Sequence, residues 1–596
     1  MTRIRNLELD DALEQVGMLG RFQLLMFLLL FPAAMVHGAR MTSGAFFMLE
    51  TRYRCALPGW VNDTFDVRAT DHQIAVNRSI PADDQCHVYS LNKSFEYDEY
   101  NRPINGSHYI QPCTNGWVYD KSLIRMNALT QLDLVCDRRI YRSHGSMLIY
   151  VGSLVGSTLL GLVSDRFGRK LCFLLSVLIL LASGLALPWS NVFYVLGILQ
   201  FLVGGASTGM FASAFVMSLE LVTSKHRKIP GLTIQVFFTS GEVIMAAAFY
   251  GLRDWRWVNV VITAPAAVFL LYYWLVPESL RWLITMKKYD QVSKVLARIA
   301  ATNGVHLDVD YESSTSDLLQ SYETEGEGHT QRVTSHDTFL DLFKSRVLCL
   351  RSFIICFNWL VVNFVFYVFV LNSAHLRAGN VFITFIIGAC VEVPAHLVSL
   401  LLVDKVGRKP VHLGYLMLAA LTSGAAVGVS VKVVKVKSEL TVTVLAMVGK
   451  FGAAGLMGTS FLWMTELWPT SVRSTGLGIG SSCARAGAIV APYVVGMTTN
   501  LGGALPFVTV CGATFLAFIL DLALPETNRR ALPDTIAEAL NFARCPDVSV
   551  LKTTHPTNYG STEETTPWED DCLLFPKQRD NTRPPRSTTI QDAVIY

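Results

Sequence analysis

The apolar residues of this chain come in long blocks, and this arrangement constrains its fold more than any other feature of the sequence. Crossing a bilayer core of about 30 Å takes about 20 mainly apolar helical residues. Twelve blocks of that length can be read along the 596 residues, with polar segments between them. Only 16% of the residues are charged, whereas about a quarter are charged in a typical soluble domain. The sequence therefore predicts an all-α membrane protein that crosses the lipid bilayer about twelve times.

The predicted spans form two groups of six. The first span, at 22–43, follows an acidic stretch and has no small-residue cleavage site after it, so we expect a retained helix rather than a signal peptide. Five more spans lie within 144–276, at about 145–164, 171–190, 192–218, 231–250 and 257–276. The second group lies within 349–524, at about 349–372, 379–403, 411–430, 440–464, 474–497 and 504–524. The polar segments are an N-terminal stretch at 1–21, a long loop at 44–143, a linker at 277–348 and a tail at 525–596 that we expect to be disordered.

Lysine and arginine in short loops predict how the bundle sits in the membrane, because loops rich in these residues stay on the cytoplasmic side. Basic loops follow the second, fourth and eighth spans, at 165–170, 225–228 and 405–409. All three fall on one side, which we expect to be cytoplasmic, and an even number of spans places both termini there too. Three lysines at 432–437 would lie outside and do not outweigh these loops.

The loop at 44–143 is then extracellular, and its residues fit that location. It contains an even set of cysteines that an oxidising compartment would pair: Cys55, Cys86, Cys113 and Cys136. Four cysteines allow three connectivities, and the sequence leaves all three open. The loop also carries four acceptor sites for N-glycosylation, at Asn62, Asn77, Asn92 and Asn105. We therefore expect a glycosylated, disulfide-bonded outer segment on a multi-pass protein of the plasma membrane.

Short motifs repeat at corresponding positions of the two groups of spans. The matched pairs are the loops at 165–170 and 404–409, the acids Glu220 and Glu466, and the tripeptides at 277–279 and 525–527. Three matched pairs indicate two homologous six-helix units. In transporters built from such parallel repeats, the substrate site lies at the interface of the units near the membrane midplane.

These motifs also carry a resemblance to a known family. The loop Asp165–Lys170 resembles the signature of the major facilitator superfamily. Together with the long glycosylated first outer loop, the segments Pro277–Leu283 and Glu466–Arg473 resemble the organic-ion transporter family within it. The resemblance extends to about Thr527. It implies the major facilitator fold, with two pseudo-symmetric six-helix bundles, and movement of small organic cations, anions or zwitterions by alternating access.

The loop motifs can be interpreted as gates. A compact glycine turn with an acid and several bases at helix ends can form charge pairs and dock against helix dipoles. Such contacts would hold the inner side closed and break as the two halves move. The alternative is a basic loop that only sets the topology. The residues assigned to gating are Asp165, Arg166, Gly168, Arg169, Glu220, Asp404, Gly407, Arg408 and Glu466.

Charged residues inside the spans indicate where a ligand would bind, because a charge at the bilayer centre is costly unless it faces a cavity or a partner. Arg485 lies about midway along the eleventh span, between small residues that leave room for a ligand. In the family this position faces the cavity, with Arg in anion and carnitine-type members and an acid in cation members. A guanidinium can hold a carboxylate through two hydrogen bonds. We predict that Arg485 binds a substrate carboxylate; the alternative is an arginine neutralised by an internal acid.

The eighth span supplies Glu392 and His396, which lie one turn apart on one helix face. Cation members of the family carry an acid at the position of Glu392, and anion members often carry Lys at that of His396, so this chain departs from both patterns.

Three further charged residues within the spans are Glu242, Lys450 and Arg40. Glu242 in the fifth span could either face the cavity or form an ion pair. We expect Lys450 in the tenth span to have a structural partner, and Arg40 in the first span to reach the membrane interface.

Aromatic residues complete the predicted site. Trp359, Phe366 and Tyr367 lie on a shared face of the seventh span. Phe238 and Phe461 match cavity-facing aromatics of the family. Aromatic faces attract ammonium groups and pack against flat organic molecules; the alternative is plain packing between helices.

Together these residues favour a carrier of small organic ions. Arg485 with Glu392 fits zwitterions best, such as carnitine-like, betaine-like or amino-acid-like compounds; organic anions, organic cations and a transport-inactive receptor are the alternatives. Coupling to sodium, a proton or an exchanged anion stays open.

No P-loop, metal-ligand spacing or nucleophile elbow is found in the sequence, so we expect neither a pump nor an enzyme, and no cofactor or metal. A net charge of +3 gives no reason to expect nucleic acid binding.

Overall fold

The computed structural model describes the chain from Leu13 to Asn541. The residues between these ends that it does not describe are 14–15, 18, 61, 68, 82–83, 90–109, 224–225, 227, 306–338, 377–378, 432–438, 470–471, 498–502, 529–532 and 534–535. The predicted acceptor sites Asn92 and Asn105 lie outside the described residues, as do most of the tail and the middle of the linker.

The described residues include twelve long helices in two sequential groups, which confirms the predicted all-α membrane fold. The first group is α1 Arg21–Phe47, α2 Ile140–Phe167, α3 Arg169–Ala186, α4 Phe193–Glu220, α5 Lys228–Leu252 and α6 Trp255–Leu275. The second is α7 Arg346–Ser373, α8 Val381–Val406, α9 Arg408–Ser430, α10 Glu439–Glu466, α11 Arg473–Gly496 and α12 Leu505–Asp521. Each predicted span overlaps one of these helices, and the spans at 171–190 and 504–524 extend beyond the ends of α3 and α12.

Ten of the twelve helices are long and apolar enough to cross a membrane by themselves, counting only described residues. The other two are α12, which is apolar but has 17 residues, and α11, whose apolar sequence is interrupted by Ser, Gly and Arg. Large apolar side chains such as Leu28, Leu162 and Phe353 are exposed on the outer surface of the bundle. An exposed apolar surface of this kind fits a lipid environment.

The two halves, α1–α6 and α7–α12, meet along α2 with α11 and along α5 with α8. Within each half the helices approach closely where glycines face a neighbour. A Cβ on Gly152 of α2 would overlap the carbonyl group of Phe201 on α4, and a Cβ on Gly487 of α11 would overlap that of Leu360 on α7. Small residues at these crossings let the backbones touch, which is how helices pack in a membrane.

The segment between α1 and α2, here called the cap (residues 48–139), carries two small antiparallel sheets. Strand β1 Tyr53–Cys55 pairs with β4 Trp117–Tyr119, and β2 His87–Tyr89 pairs with β3 Ile110–Pro112. The structure pairs Cys55 with Cys113 and Cys86 with Cys136, at Cα separations of 5.5 and 5.6 Å. It thereby selects one of the three connectivities that the sequence left open.

The cap is fixed to the bundle at one end, here called the cap end. The indole N–H of Trp255 on α6 donates a hydrogen bond to the side-chain oxygen of Gln131 in the cap at 3.0 Å. Glu50 forms ion pairs with Arg139 at 2.9 Å and with Arg142 at 2.6 Å, at the start of α2. The opposite end of the bundle, which carries the loops at 165–170 and 404–409, is called the motif end.

The polar segments at the motif end are more ordered than the sequence suggests. The linker begins with helices at Leu280–Thr285 and Tyr289–Asn303, and Asn303 accepts a hydrogen bond from the backbone N–H of Phe22 at 2.9 Å. The expectation of a disordered tail is wrong for its first residues. A short helix at Ile536–Asn541 packs on α7, where Arg351 donates to the carbonyl oxygen of Ala539 at 3.0 Å.

Candidate functional site

A cavity lies between the two halves at mid-bundle and holds about 770 Å³ of empty space, its opening included. Eight of the nine residues predicted to bind substrate line it: Arg485, Glu392, His396, Trp359, Phe366, Tyr367, Phe461 and Phe238. The ninth, Glu242, lies behind the wall with none of its surface exposed. The structure thus brings the predicted residues together, and their roles in binding stay predictions.

Arg485 presents a cation to this cavity. Its side chain is half-buried on α11, where Nη1 donates to the carbonyl oxygen of Ser481 at 2.8 Å and also to the hydroxyl of Ser481. Nε donates to the hydroxyl of Ser153 on α2, in the other half, at 3.2 Å. No carboxylate among the described residues lies within ion-pair distance of this guanidinium. Neutral partners orient it and leave its charge uncompensated at short range.

Three charged side chains from both halves meet beside the cavity, and we call them the triad: Glu242 on α5, Glu392 on α8 and Lys450 on α10. The ammonium of Lys450 lies 2.8 Å from Oε1 of Glu392 and 3.5 Å from Oε2 of Glu242. Thr239 on α5 donates to Oε2 of Glu392 at 3.1 Å. All three triad side chains are buried. Lys450 therefore has the partner that the sequence predicted for it, and Glu392 faces the cavity already paired.

Aromatic side chains form much of the cavity wall. The rings of Trp359 and Phe461 meet edge to face at 4.7 Å, and 37% of Phe461 is exposed towards the open space. Tyr367 contacts Tyr150 of the other half at 4.6 Å. Ring faces beside a cavity can hold an ammonium group or a flat organic molecule.

The sequence reasoning missed several polar residues of the cavity wall. His37 on α1 lies 3.4 Å from the hydroxyl of Ser207 and stacks on Phe211 at 4.7 Å. Gln235 on α5 and Asn363 on α7 also line the cavity. Polar residues within an apolar span are the signal that could have identified all three.

Arg40 shows where a prediction from the sequence was wrong. We expected this arginine to reach the membrane interface, but none of its surface is exposed. Its guanidinium donates to the side-chain oxygen of Asn259 on α6 and, at 3.0 Å, to the backbone carbonyl oxygen of the same residue. The amide of Asn259 in turn donates to the carbonyl oxygen of Gly184 on α3. The two oxygens of Asn259 on α6 accept from the buried guanidinium, and the sequence of α1 alone does not reveal this partner.

The motif of the first half forms a compact cluster. Arg169 at the start of α3 lies 3.1 Å from Asp165 and 4.0 Å from Glu220 at the end of α4. Glu278 accepts hydrogen bonds from the backbone N–H groups of Arg169 at 2.9 Å and of Lys170 at 3.1 Å. A carboxylate at the first N–H groups of a helix stabilises it. The exposed side chain of Arg166 lies outside this cluster, over the ring of Phe167.

The second half repeats the arrangement at matching positions. Arg408 at the start of α9 lies 3.3 Å from Glu466 and 3.9 Å from Asp404. Glu526 accepts from the backbone N–H groups of Arg408 at 3.1 Å and of Lys409 at 3.0 Å. Every contact named for the two clusters joins elements of one half, so each cluster ties its own half together at the motif end.

Comparisons with known proteins agree with this architecture. Residues 109–536 match the family model described as "Sugar (and other) transporter". The chain is 30% identical to the "Organic cation transporter protein" of Drosophila melanogaster, over 90% of this chain and 95% of that protein. It is 31% identical to "Solute carrier family 22 member 2" of Oryctolagus cuniculus over 90% and 96%, and 30% identical to "Solute carrier family 22 member 7" of Rattus norvegicus over 89% and 97%.

A solved structure resembles the whole fold. The xylose transporter XylE from E. coli, in a partially occluded inward-open conformation, aligns with a TM-score of 0.57 over 86% of this chain and 100% of that one, at 14% identity. At this identity the likeness concerns the fold alone.

Proposed function

Because the chain belongs to the organic-ion transporter family of the major facilitator superfamily, we propose that it carries small organic ions bearing a carboxylate, above all zwitterions, and binds the carboxylate on Arg485. The chain is a membrane transporter and not an enzyme. The observation that carries the proposal is the Arg485 guanidinium, which faces the cavity with a neutral set of partners among the described residues. An unpaired cation in a site of low dielectric constant attracts an anionic group strongly.

The ammonium group of a zwitterion would lie at the other wall of the cavity. The triad holds two carboxylates against one ammonium, so this wall carries an excess of negative charge. Trp359 and Tyr367 line the same cavity and offer ring faces. Since Glu392 is already paired with Lys450, the attraction comes from the triad as a whole and from these rings. A pure organic cation is disfavoured because it would share the cavity with Arg485.

The transporter works by alternating access between the two halves, with the cap outside the cell and both termini inside. The contact between Ser143 of α2 and the carbonyl oxygen of Pro492 of α11, at 3.1 Å, supports closure at the cap end in this conformation. The disulfide-bonded cap and the exposed acceptor residue Asn62 support an extracellular location in the plasma membrane. The clusters at the motif end would then support the inner gate by keeping each half rigid.

The experiment is uptake of three labelled probes in cells that express the protein at the surface: betaine, benzoate and tetraethylammonium. We expect uptake of betaine and benzoate, and its loss in Arg485→Ala at equal surface expression. Ser482→Ala is the matched control, because Ser482 lies on the same helix, is half-buried and donates to the carbonyl oxygen of Gly478. Unchanged carboxylate uptake in Arg485→Ala, or uptake of tetraethylammonium alone, would overturn the proposal.

A further inference from the structure

The triad is one proton short of electrical balance. Lys450 offers one positive charge to the two carboxylates of Glu242 and Glu392. Glu242 has no exposed surface, and its Oε1 finds no hydrogen-bond partner in the part of the chain that the structure describes. A buried carboxylate oxygen with no donor is costly. A proton on this pair of carboxyl groups would remove both the excess charge and the repulsion between them.

The charge that balances the triad in this structure is Arg485, on the far side of the cavity. Tyr367 of the cavity wall interacts electrostatically with Arg485 and with both triad acids. Arg485 and Lys450 against Glu242 and Glu392 give a net charge of zero around the empty cavity. This balance is long-range, so it changes as soon as a substrate neutralises Arg485.

Other ionisable groups line the cavity beside the triad: His37 on α1, Tyr150 on α2, Tyr367 on α7 and His396 on α8. A neutral tyrosine has no basic site for a proton, so the two histidines are the alternative proton acceptors. Arg40 on α1 instead contacts Asn259 on α6, and the pair His412–Asp521 joins α9 to α12. His37 and His396 are neutral acceptors, and a proton on either would place a new cation near Arg485. The pair of acids instead accepts a proton with a loss of charge, which a dry site favours.

We propose, building on the proposed role of Arg485, that the triad binds one proton whenever the substrate is a pure anion, so that anions are carried together with a proton and zwitterions without one. The carboxylate of an anion neutralises Arg485 and leaves the excess negative charge of the triad uncompensated. A proton from the water in the open cavity then binds to the carboxyl pair. In a zwitterion the substrate's own ammonium takes the place of this proton. The coupling is reciprocal, so acid conditions must tighten the binding of anions.

The proposal makes the two substrate classes behave differently in one protein. In proteoliposomes, uptake of benzoate should strengthen as the pH on the uptake side falls, with the apparent KM changing by up to about tenfold per pH unit for one linked proton. A pH-sensitive dye inside should record acidification during benzoate uptake. Uptake of betaine should show neither effect. Because anion and proton move together, benzoate uptake should also be insensitive to membrane potential.

The variant Glu242→Gln removes the charge that the proton would neutralise. Benzoate uptake in this variant should lose its pH dependence and become sensitive to potential, with accumulation falling about tenfold for each ~60 mV of inside-negative potential. His37→Gln and His396→Gln are the controls and should keep the wild-type pH dependence, whatever their rates. Comparison of the two probes in the wild-type protein needs no variant and tests the proposal even if Glu242→Gln fails to fold.

The outcomes separate this inference from the proposed function. Benzoate uptake that depends on Arg485 but is independent of pH and sensitive to potential would overturn the proton site and leave the role of Arg485 standing. An equal pH dependence for betaine and benzoate would also overturn it. Uptake that does not depend on Arg485 would instead remove the premise of both.

Discussion

The ammonium of Lys450 on α10 lies 2.8 Å from a carboxylate oxygen of Glu392 on α8, and neither side chain is open to solvent. The same ammonium reaches Glu242 on α5 of the other half at 3.5 Å. Through its contact with Glu242, Lys450 therefore links the two halves of the bundle, beside the cavity that they enclose.

Replacing Lys450 with Met should destabilise the protein, because it leaves two buried carboxylates without a cation. Removal of one partner of a buried ion pair costs about 3–5 kcal/mol. The thermal midpoint of the detergent-purified protein should fall markedly, and the double variant Lys450→Met with Glu392→Gln should recover part of the loss. Lys405→Met is the control, since Lys405 is exposed at the end of α8. Equal midpoints for the Lys450 and Lys405 variants would contradict the assignment.

Replacing Arg485 with Lys should weaken carboxylate binding without unfolding the protein. Lysine keeps the charge but cannot present two parallel N–H donors to a carboxylate. We expect the inhibition constant of benzoate against betaine uptake to rise about tenfold, a loss of about 1.4 kcal/mol, with an unchanged thermal midpoint. An unchanged inhibition constant would show that the guanidinium does not bind the carboxylate through two parallel hydrogen bonds.

Replacing Gly168 with Ala should loosen the cluster of the first half. Gly168 has a φ of 105°, which side-chain-bearing residues rarely adopt, and a Cβ there would collide with the carboxylate of Glu278. The strain alone costs about 1–3 kcal/mol, so the thermal midpoint should fall. Gly161→Ala on the preceding helix is the matched control, because a Cβ there meets nothing within 4 Å. Equal thermal midpoints for the two variants would show that glycine is not required at this turn.

The ion pairs of Glu50 should make attachment of the cap dependent on pH. Burial alone would raise the pKa of this carboxyl, but attraction to Arg142 and Arg139 outweighs it and lowers the pKa below its ordinary value. A group with a lowered pKa in the folded state stabilises above its unfolded pKa, and this stability is lost as the pH falls through the folded pKa. Thermal midpoints measured from pH 7 down to the acid range should therefore converge for the wild type and Glu50→Gln.

The matched control for this comparison is Asp137→Asn, because Asp137 is exposed at the same end of the bundle. It should follow the wild type at every pH. A constant difference between the wild type and Glu50→Gln down to the lowest pH would show that the charge of Glu50 contributes nothing.

Much of the fold and part of the site could be predicted from the sequence. Apolar length identifies each helix locally, and the repeated motifs reveal the two halves. Of the nine residues predicted to bind substrate from charge, helical spacing and the family resemblance, eight line one cavity. What the sequence could not supply is the partner of each buried charge. From the sequence Arg40 is predicted to reach the membrane interface, and only the structure shows that Asn259 on α6 is its partner.

The tail is a second case in which the sequence does not identify the partner of a charged side chain. Glu526 lies in a polar segment that by composition resembles disordered sequence, yet it accepts hydrogen bonds from the first N–H groups of α9. The composition of a segment indicates how much apolar surface it can bury. It does not indicate which helix terminus its side chains can contact.

The sequence by itself determined that this chain is a helical membrane transporter with two related halves, because a long apolar segment satisfies its own backbone hydrogen bonds in a bilayer as a helix, whatever lies beside it. It also determined that Arg485, Glu392, Glu242 and Lys450 need an explanation, since charges inside spans are costly. Only the tertiary structure decided that Lys450 neutralises the acids while Arg485 stays free of acids among the described residues. Pairing depends on distances between helices of different halves, and those distances are set by packing across the whole bundle.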